Sequence, residues 1–337
     1  MTVLTRWWLV SVVLLLNAQA SAAEQITIKL ATLAPSGSMW HRRLQELGER
    51  WAEASGGVVK LRVYPGGVQG SEGDMLRKVS IGQLDAASVS NVGLHDVAPE
   101  AQAVTVSFLF ADREEMEHVF SRIQTQLDGA LSRRGLTALH WAQVGQVRFF
   151  CKRAYATPAE MAHAKIFAWD GDPASVEAWR AGGFHPVVLS SIDIVPSLQT
   201  GMVDCVANVP VYVLAARIFD HARSMIDVSW GFVLGATVIS NRSWERIPAD
   251  LRPKLLDIAR ELGRQVDADA QAADASAVAA MRSQGLAIVK VEPDPWRRSA
   301  EAGWREIRGK VVPAALFDEV IRSRGEYRAA HASARAP

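Results

Sequence analysis

The chain has 337 residues, of which 49% are hydrophobic and 22% are charged. At roughly 150 residues a domain, this length predicts two globular domains rather than a disordered or fibrous chain. The 37 Lys and Arg residues nearly balance the 36 Asp and Glu residues, so the formal net charge is only +1. Without a surplus of positive charge, the chain is a poor candidate for binding nucleic acid.

The N-terminus has the pattern of an export signal. Arg6 precedes an apolar run at 7–16, and small residues follow at 18–23. This run is too short to span a membrane as a helix, which takes roughly 18 residues, but it has the length of a signal peptide core. We therefore expect residues 1–23 to be a signal peptide that is cleaved after Ala23, and the protein to be periplasmic.

Cys151 and Cys205 are the two cysteines of the sequence. Export would permit a disulfide between them, but a large domain with its own core does not need one, so two buried free thiols are an alternative that stays open. Neither cysteine has a metal-ligand spacing or a neighbouring histidine that could act as a base.

From residue 26 onward, short β-rich runs alternate with amphipathic segments. The first part of the chain predicts strands at 26–33, 58–64 and 86–90 and helices at 39–55 and 71–81. After a middle segment, the pattern predicts strands at 136–141, 146–151, 165–169 and 202–207 and helices at 172–181 and 192–200. The strands are apolar without strict alternation, which is typical of α/β sheets covered by helices on both faces.

The C-terminal third differs because residues 248–285 are rich in helix-forming residues and contain Pro only near their start. We expect one long helix there, weakened at Gly263 and too long to belong to a single lobe. A strand at 286–291 and a helix at 295–310 follow, and the polar end at 323–337 is expected to fray.

Two segments of the chain have a similar sequence pattern of a glycine followed by an apolar strand. Gly82 and Gly201 each follow a predicted helix and precede an apolar strand, where a left-handed glycine would end the helix. Asn91 and Asn208 come near the ends of those strands, where open α/β sheets bind ligands. A common turn sequence is the alternative explanation of these matches.

The sequence contains no recognised catalytic or nucleotide-binding motif. We find no nucleophile elbow, zinc helix, phosphate loop or dinucleotide fingerprint, and the eight histidines are scattered. We therefore expect no metal and no cofactor, and the sequence gives no positive indication of an enzyme.

Seven segments match one family in its own order. They are residues 30–38, 56–63, 66–76, 82–85, 108–110, 157–161 and 198–204. With these segments the chain resembles the DctP-like solute-binding proteins of TRAP transporters over almost the whole expected mature sequence. The most specific segment is LQTGMVDCVAN at 198–208.

The resemblance implies a non-enzymatic receptor with two α/β lobes, a ligand cleft between them and a long helix that spans both. By likeness, lobe I would hold 24–145 and 233–272, and lobe II would hold 146–232 and 273–337. The receptor would bind a small solute and deliver it to membrane-embedded permease subunits. We expect it to be a monomer or a weak dimer.

Family members commonly hold a ligand carboxylate with two arginines and one asparagine. Arg148 matches the first arginine and Asn208 the asparagine, but Phe167 stands where the second arginine is expected. Phenylalanine offers an apolar face and no hydrogen-bond donor, so the bidentate hydrogen bonding of an arginine to a carboxylate is missing. The ligand is therefore expected to be neutral, aromatic or lipid-like rather than a simple dicarboxylate.

An aromatic wall of Phe167, Trp169 and Trp230 would suit such a ligand. Arg148, Asn208, Asp170 and Asn91 are the polar groups predicted to orient it. These are the predicted ligand-binding residues: Arg148, Asn208, Phe167, Trp169, Asp170, Trp230 and Asn91. The alternative is that Phe167 packs in the core of lobe II, since a one-residue shift along a strand reverses which face a side chain takes.

Other conspicuous side chains have simpler explanations. Trp40, Trp51 and Trp179 are predicted to serve packing, and Glu72 to be a favourable charge in the first turn of a helix. The alternative function is a periplasmic enzyme, such as a hydrolase, on a similar two-lobed scaffold, because one fold hosts many functions.

Overall fold

The structure is a computed structural model that describes residues 25–170 and 173–331. The predicted signal peptide, residues 1–23, lies outside the described residues. The strands are β1 Ile26–Thr32, β2 Val59–Tyr64, β3 Ala86–Ser90, β4 Leu136–Cys151, β5 Lys165–Trp169, β6 His185–Leu189, β7 Cys205–Asn208, β8 Ser224–Ser240 and β9 Ala287–Lys290. The helices are α1 Met39–Ala54, α2 Glu72–Ser80, α3 Asn91–Leu94, α4 Arg113–Arg133, α5 Pro158–Met161, α6 Pro173–Ala181, α7 Ile194–Thr200, α8 Pro210–Ala215, α9 Asn241–Glu245, α10 Arg252–Ser283, α11 Pro293–Ile307 and α12 Ala314–Ala330.

The strands join in the order β2-β1-β3-β8-β4-β7-β5-β6, and β9 pairs with β8. The long strands β4 and β8 run antiparallel to each other and belong to both halves of the sheet. At one end β8 pairs with β3, and at the other end β4 pairs with β7. This topology confirms the predicted α/β class and gives two lobes that share β4 and β8.

The predicted lobe boundaries at 145/146 and 232/233 stay a prediction. In the structure, Gly145 pairs with Val233 and Gln146 with Phe232, next to a register irregularity between Gln143 and Gly145. The C-terminal helix α12 packs against α4 in a shared hydrophobic cluster. Helix α12 therefore lies beside the half of the sheet that contains β1 and β3.

Hydrophobic side chains cover both faces of each half of the sheet. In β4, for example, Phe149 and Phe150 are both fully buried and belong to clusters on opposite faces. This two-sided burial explains why the strands read as continuous apolar runs. Among the described residues, no helix combines the length and hydropathy that a membrane span requires.

Three local predictions were wrong. The strands expected at 136–141 and 146–151 are one strand, because the pairing of β4 with β8 continues across its bulges. Residues 323–330 do not fray but continue α12, which Phe317 and Val320 anchor in the core beside α4. The helix α10 continues through Gly263 without a break, although a soft break was expected there.

Gly263 serves close packing instead. A Cβ atom built at this position would lie 2.8 Å from the Cβ of His140 on β4, which is closer than such atoms approach. Its lack of a side chain thus lets α10 lie directly on β4, where the two lobes meet. Gly82 and Gly201 do adopt the predicted left-handed conformation, with φ of 77° and 75°.

Candidate functional site

A cavity of about 230 Å³ lies where the two halves of the sheet meet. The ends of β1 and β3 and the start of α1 line it from one half, and the ends of β5 and β7 and the start of α8 line it from the other. Strands β4 and β8 pass beside it with Val147, Trp230 and Phe232. Because elements of both halves line the cavity, a relative motion of the halves would change its shape.

Five of the seven predicted ligand-binding residues line this cavity. They are Asn91, Phe167, Trp169, Asn208 and Trp230. The other two do not belong to its lining: Asp170 is exposed, and Arg148 lies to one side among charged residues. The ligand-contact roles of these seven residues stay predictions.

Phe167 combines the two alternatives that the sequence left open. Its side chain is only 2% exposed and packs with Phe150 and Val206 in one hydrophobic cluster. The same residue lines the cavity, with its ring edge-on to Trp169 at a centroid distance of 5.1 Å. The wall here is therefore a rigid part of the core rather than a mobile side chain.

Trp230 belongs to an aromatic cluster on the opposite face of the sheet. Its ring stacks on Trp179 at a centroid distance of 5.3 Å and meets the edge of Phe149 at 5.0 Å. Trp179 also lines the cavity, although the sequence analysis assigned it to packing. Nothing in its helical position pointed to the site, because α6 reaches the cavity only through tertiary packing.

Trp40 and Tyr212 are further lining residues that the sequence analysis missed. Trp40 lies in the first turn of α1, just beyond the end of β1, and the position after a strand end could have signalled it. Tyr212 lies on α8, directly after Asn208 and β7. Burial is the main cause that raises the pKa of Tyr212 to about 12, so its hydroxyl stays protonated.

Glu72 lies in the first turn of α2, as expected, but its carboxylate is buried in the cavity wall. It accepts hydrogen bonds from the backbone N–H and hydroxyl of Ser90, at 2.8 and 2.7 Å, and from the N–H of Gly93 at 2.9 Å. Burial raises the pKa of Glu72, although these three bonds act in the opposite direction. Glu72 thereby holds the junction of β3 and α3, which carries Asn91.

The polar side chains of the wall are largely engaged by the protein itself. Asn91 donates to Gln102 at 3.2 Å and to Thr105 at 3.3 Å, and Oδ1 of Asn208 accepts from the N–H of Val209 at 2.8 Å. Burial lowers the pKa of His140 to about 4, which makes this lining residue neutral at pH 7.

Arg43 is the sole arginine or lysine among the described residues that line the cavity. Its guanidinium contacts Glu46 at 2.6 Å and Asp269 of α10 at 2.7 Å. The positive charge is therefore already balanced by two carboxylates of the chain.

The two cysteines lie on strands that border the cavity but do not belong to its lining. Cys151 on β4 and Cys205 on β7 pair across the two strands and form a disulfide. In the part of the chain that the structure describes, no group of His, Cys, Asp and Glu could hold a metal ion.

A family model matches residues 30–310, and it describes the DctP family, bacterial extracellular solute-binding protein, family 7. A solute-binding protein of Roseobacter denitrificans is 23% identical over 87% of this chain and 90% of its own length. The sialic acid-binding periplasmic protein SiaP of Vibrio cholerae is 21% identical over 89% of this chain and 94% of its own length.

The fold also has close counterparts among solved structures. A TRAP periplasmic solute-binding protein of Desulfovibrio salexigens with bound orotic acid superposes with a TM-score of 0.83 at 17% identity. The superposition covers 91% of this chain and 99% of that protein. At this level of identity, the similarity establishes the two-lobed fold.

Proposed function

The chain belongs to the bacterial extracellular solute-binding protein family 7, and from the lining of its cavity we propose that it holds a neutral, largely apolar solute. The protein is a TRAP-type receptor for a small solute, works with a membrane permease and is not an enzyme. The periplasmic hydrolase considered from the sequence has no support among the relatives.

Phe167 carries this proposal. Its ring lies in the cavity wall at the position where the sequence resemblance predicts an arginine. Trp169, Trp230 and Trp179 extend the aromatic surface, and Arg43 is already bound to two carboxylates. Burying a solute carboxylate beside these groups would leave its charge without a partner, which is costly. The relatives named for sialic acid and found with orotic acid bind acids, so the proposed solute class differs from theirs.

The solute-contacting residues that we propose are Phe167, Trp169, Trp230, Asn208 and Asn91. Aromatic rings supply most of the contact area, and the two asparagines orient the polar end of the solute. Arg148 and Asp170 were predicted as contacts too, but the cavity lining supports the other five better.

The location and assembly of the protein extend the proposal. Family membership makes the protein extracytoplasmic. We propose that it reaches the periplasm by cleavage after Ala23 and acts as a monomer or a weak dimer. N-terminal sequencing of exported protein and light scattering of the purified protein test these two points.

Mass spectrometry of the solute released from protein purified under native conditions tests the proposed solute class. We expect a neutral compound with a ring or an alkyl chain. Trp230→Ala should lose it, while Trp244→Ala, which changes a tryptophan outside the cavity lining, should retain it. Release of a C4-dicarboxylate or a sugar acid would contradict the proposal.

A further inference from the structure

Arg148 lies next to the cavity on β4, opposite Asn208 on β7. Its side chain is 20% exposed, and its Nε lies 3.8 Å from Oδ1 of Asp227 on β8. Its Nη2 donates to Oε1 of Gln146 at 3.2 Å, whereas its Nη1 is buried without a hydrogen-bond partner among the described residues. The guanidinium is therefore held beside the cavity by groups of the chain, with one donor left over.

Asp274 of α10 lies near the same arginine, because both residues contact Gln146. Its Oδ2 accepts from the N–H of Gln146 at 3.4 Å, and the backbone N–H of Val211 also acts on this carboxylate. Burial raises the pKa of Asp274, and the backbone N–H groups of Gln146 and Val211 and then the charge of Arg148 oppose that rise. Burial likewise lowers the pKa of Arg148, and the charges of Asp227 and Asp274 oppose that shift. One cation thus lies near two carboxylates, of which Asp227 is in contact with it.

We propose that Asp274 and Asp227 are specificity-determining residues that supply Arg148 with the negative charge a carboxylate solute would otherwise bring. This inference rests on the neutral solute proposed above and names the residues that select it. A carboxylate entering beside Arg148 would meet two like charges and gain no unbalanced cation, whereas a neutral solute would meet neither obstacle.

Arg43 also lies among carboxylates of the chain, and this similarity supports the inference. Glu46 and Asp269 form ion pairs with Arg43. Asp227 lies 3.8 Å from Arg148, and the charge of Asp274 also acts on that arginine. Asp269 and Asp274 both come from α10, the helix that passes across the junction of the two lobes. Each of these two arginines thus lies near one carboxylate of α10. The second carboxylate comes from α1 at Arg43 and from β8 at Arg148.

A double-mutant cycle on the empty protein tests the pairing without any solute. Arg148→Gln should lower the melting temperature by about 2 °C or more, because it leaves Asp274 and Asp227 uncompensated. In an Asp274→Asn background the same substitution should cost clearly less. Asp227→Asn, which changes a half-exposed side chain, provides a second background if Asp274→Asn does not fold. Equal losses in all backgrounds would overturn the inference.

Calorimetry with 2-naphthamide and 2-naphthoate tests the selectivity, since the two probes share a shape and differ in charge. Asp274→Asn should shift the ratio of dissociation constants toward 2-naphthoate by about tenfold relative to the unmodified protein. Glu261→Gln is the matched control, because it removes a carboxylate of α10 that pairs with Arg50 instead. An unchanged ratio in Asp274→Asn, or an equal shift in Glu261→Gln, would overturn the inference.

The two measurements separate this inference from the proposed function. Coupling in the stability cycle without binding of either probe would support the Arg148 pairing and contradict the proposed solute class. Binding of 2-naphthamide without coupling in the cycle would support the solute class and contradict the role of Asp274 and Asp227.

Discussion

The ring of Trp40 on α1 faces the ring of Tyr212 on α8 across the cavity, with their centroids 6.4 Å apart. These two residues come from opposite halves of the sheet, so their contact exists only while the halves are close together. Closure of the cavity and aromatic packing are therefore linked at this point.

Removing the ring of Tyr212 should weaken solute binding. We expect Tyr212→Ala to raise the dissociation constant for 2-naphthamide by about tenfold, because an aromatic pair and its buried area are lost. Tyr212→Phe keeps the ring and should bind nearly as well as the unmodified protein in calorimetry. Equal losses in both variants would show that the hydroxyl, and not the ring contact with Trp40, matters.

Asp267 of α10 should make stability depend on pH. Its carboxylate accepts from the N–H of Gln143 at 2.5 Å, and burial is the main cause that raises its pKa from 3.8 to about 6. Arg113 acts against this rise and Glu117 adds to it. Because the folded state holds the proton more tightly than the unfolded chain, the free energy of unfolding should fall as the pH rises from about 4 to about 6.

Asp267→Asn isolates this effect, since it keeps an acceptor for Gln143 and cannot ionise. Relative to the unmodified protein, the variant should gain stability at pH 7, and this advantage should shrink as the pH falls from 6 to 4. Urea denaturation across this range measures it. A difference between the two proteins that does not vary with pH would contradict the assigned pKa.

The disulfide joins Cys151 and Cys205, which are 54 positions apart in the sequence. In the chain-entropy model, a loop of this length contributes about 4 kcal/mol to the free energy of unfolding. We expect Cys151→Ala combined with Cys205→Ala to lose stability of this order in chemical denaturation. A loss below about 1 kcal/mol would indicate that packing alone holds β4 against β7.

The architecture could be predicted from the sequence because its signals are local. Alternating β-rich and amphipathic segments gave the α/β class, and the left-handed glycines at positions 82 and 201 were identified from turn patterns. The continuous course of β4 could not be predicted, because it depends on pairing with β8, which is some ninety residues away along the chain.

The candidate site was predictable to a smaller extent. Asn208 could be found because it lies at the end of a strand, and Phe167 because the family resemblance predicts an arginine at its position. The position of Trp40 after a strand end could have signalled it, whereas Trp179 and Tyr212 could not be assigned, since helical positions do not reveal which helix reaches the cavity. The carboxylates facing Arg148 were also beyond reach, because Asp227 and Asp274 come close to it only through the folding of β8 and α10.

Phe167→Arg should reverse the solute preference. A guanidinium in this part of the wall would lose hydration beside an apolar solute without gaining a partner, whereas a carboxylate would form an ion pair with it. We expect weaker binding of 2-naphthamide and stronger binding of 2-naphthoate in calorimetry. Phe167→Leu, which keeps the wall apolar, should preserve the original preference.

The outcome also depends on the packing of Phe167 in the core. If Phe167→Arg fails to fold while Phe167→Leu folds and binds, the ring mainly stabilises the hydrophobic core of the half that contains β5 and β7, and its contribution to the cavity is secondary. A folded Phe167→Arg variant that binds both probes as the unmodified protein does would contradict the place of Phe167 in the binding site.

The central claim is that the cavity selects a neutral, apolar solute over an acid. Calorimetry of the unmodified protein at pH 7 with 2-naphthamide, 2-naphthoate and succinate tests it most directly. We expect 2-naphthamide to bind at least roughly tenfold more tightly than 2-naphthoate, with no measurable binding of succinate, because a buried carboxylate would find no uncompensated cation. Binding of succinate at micromolar concentration, or of 2-naphthoate as tightly as 2-naphthamide, would contradict the claim.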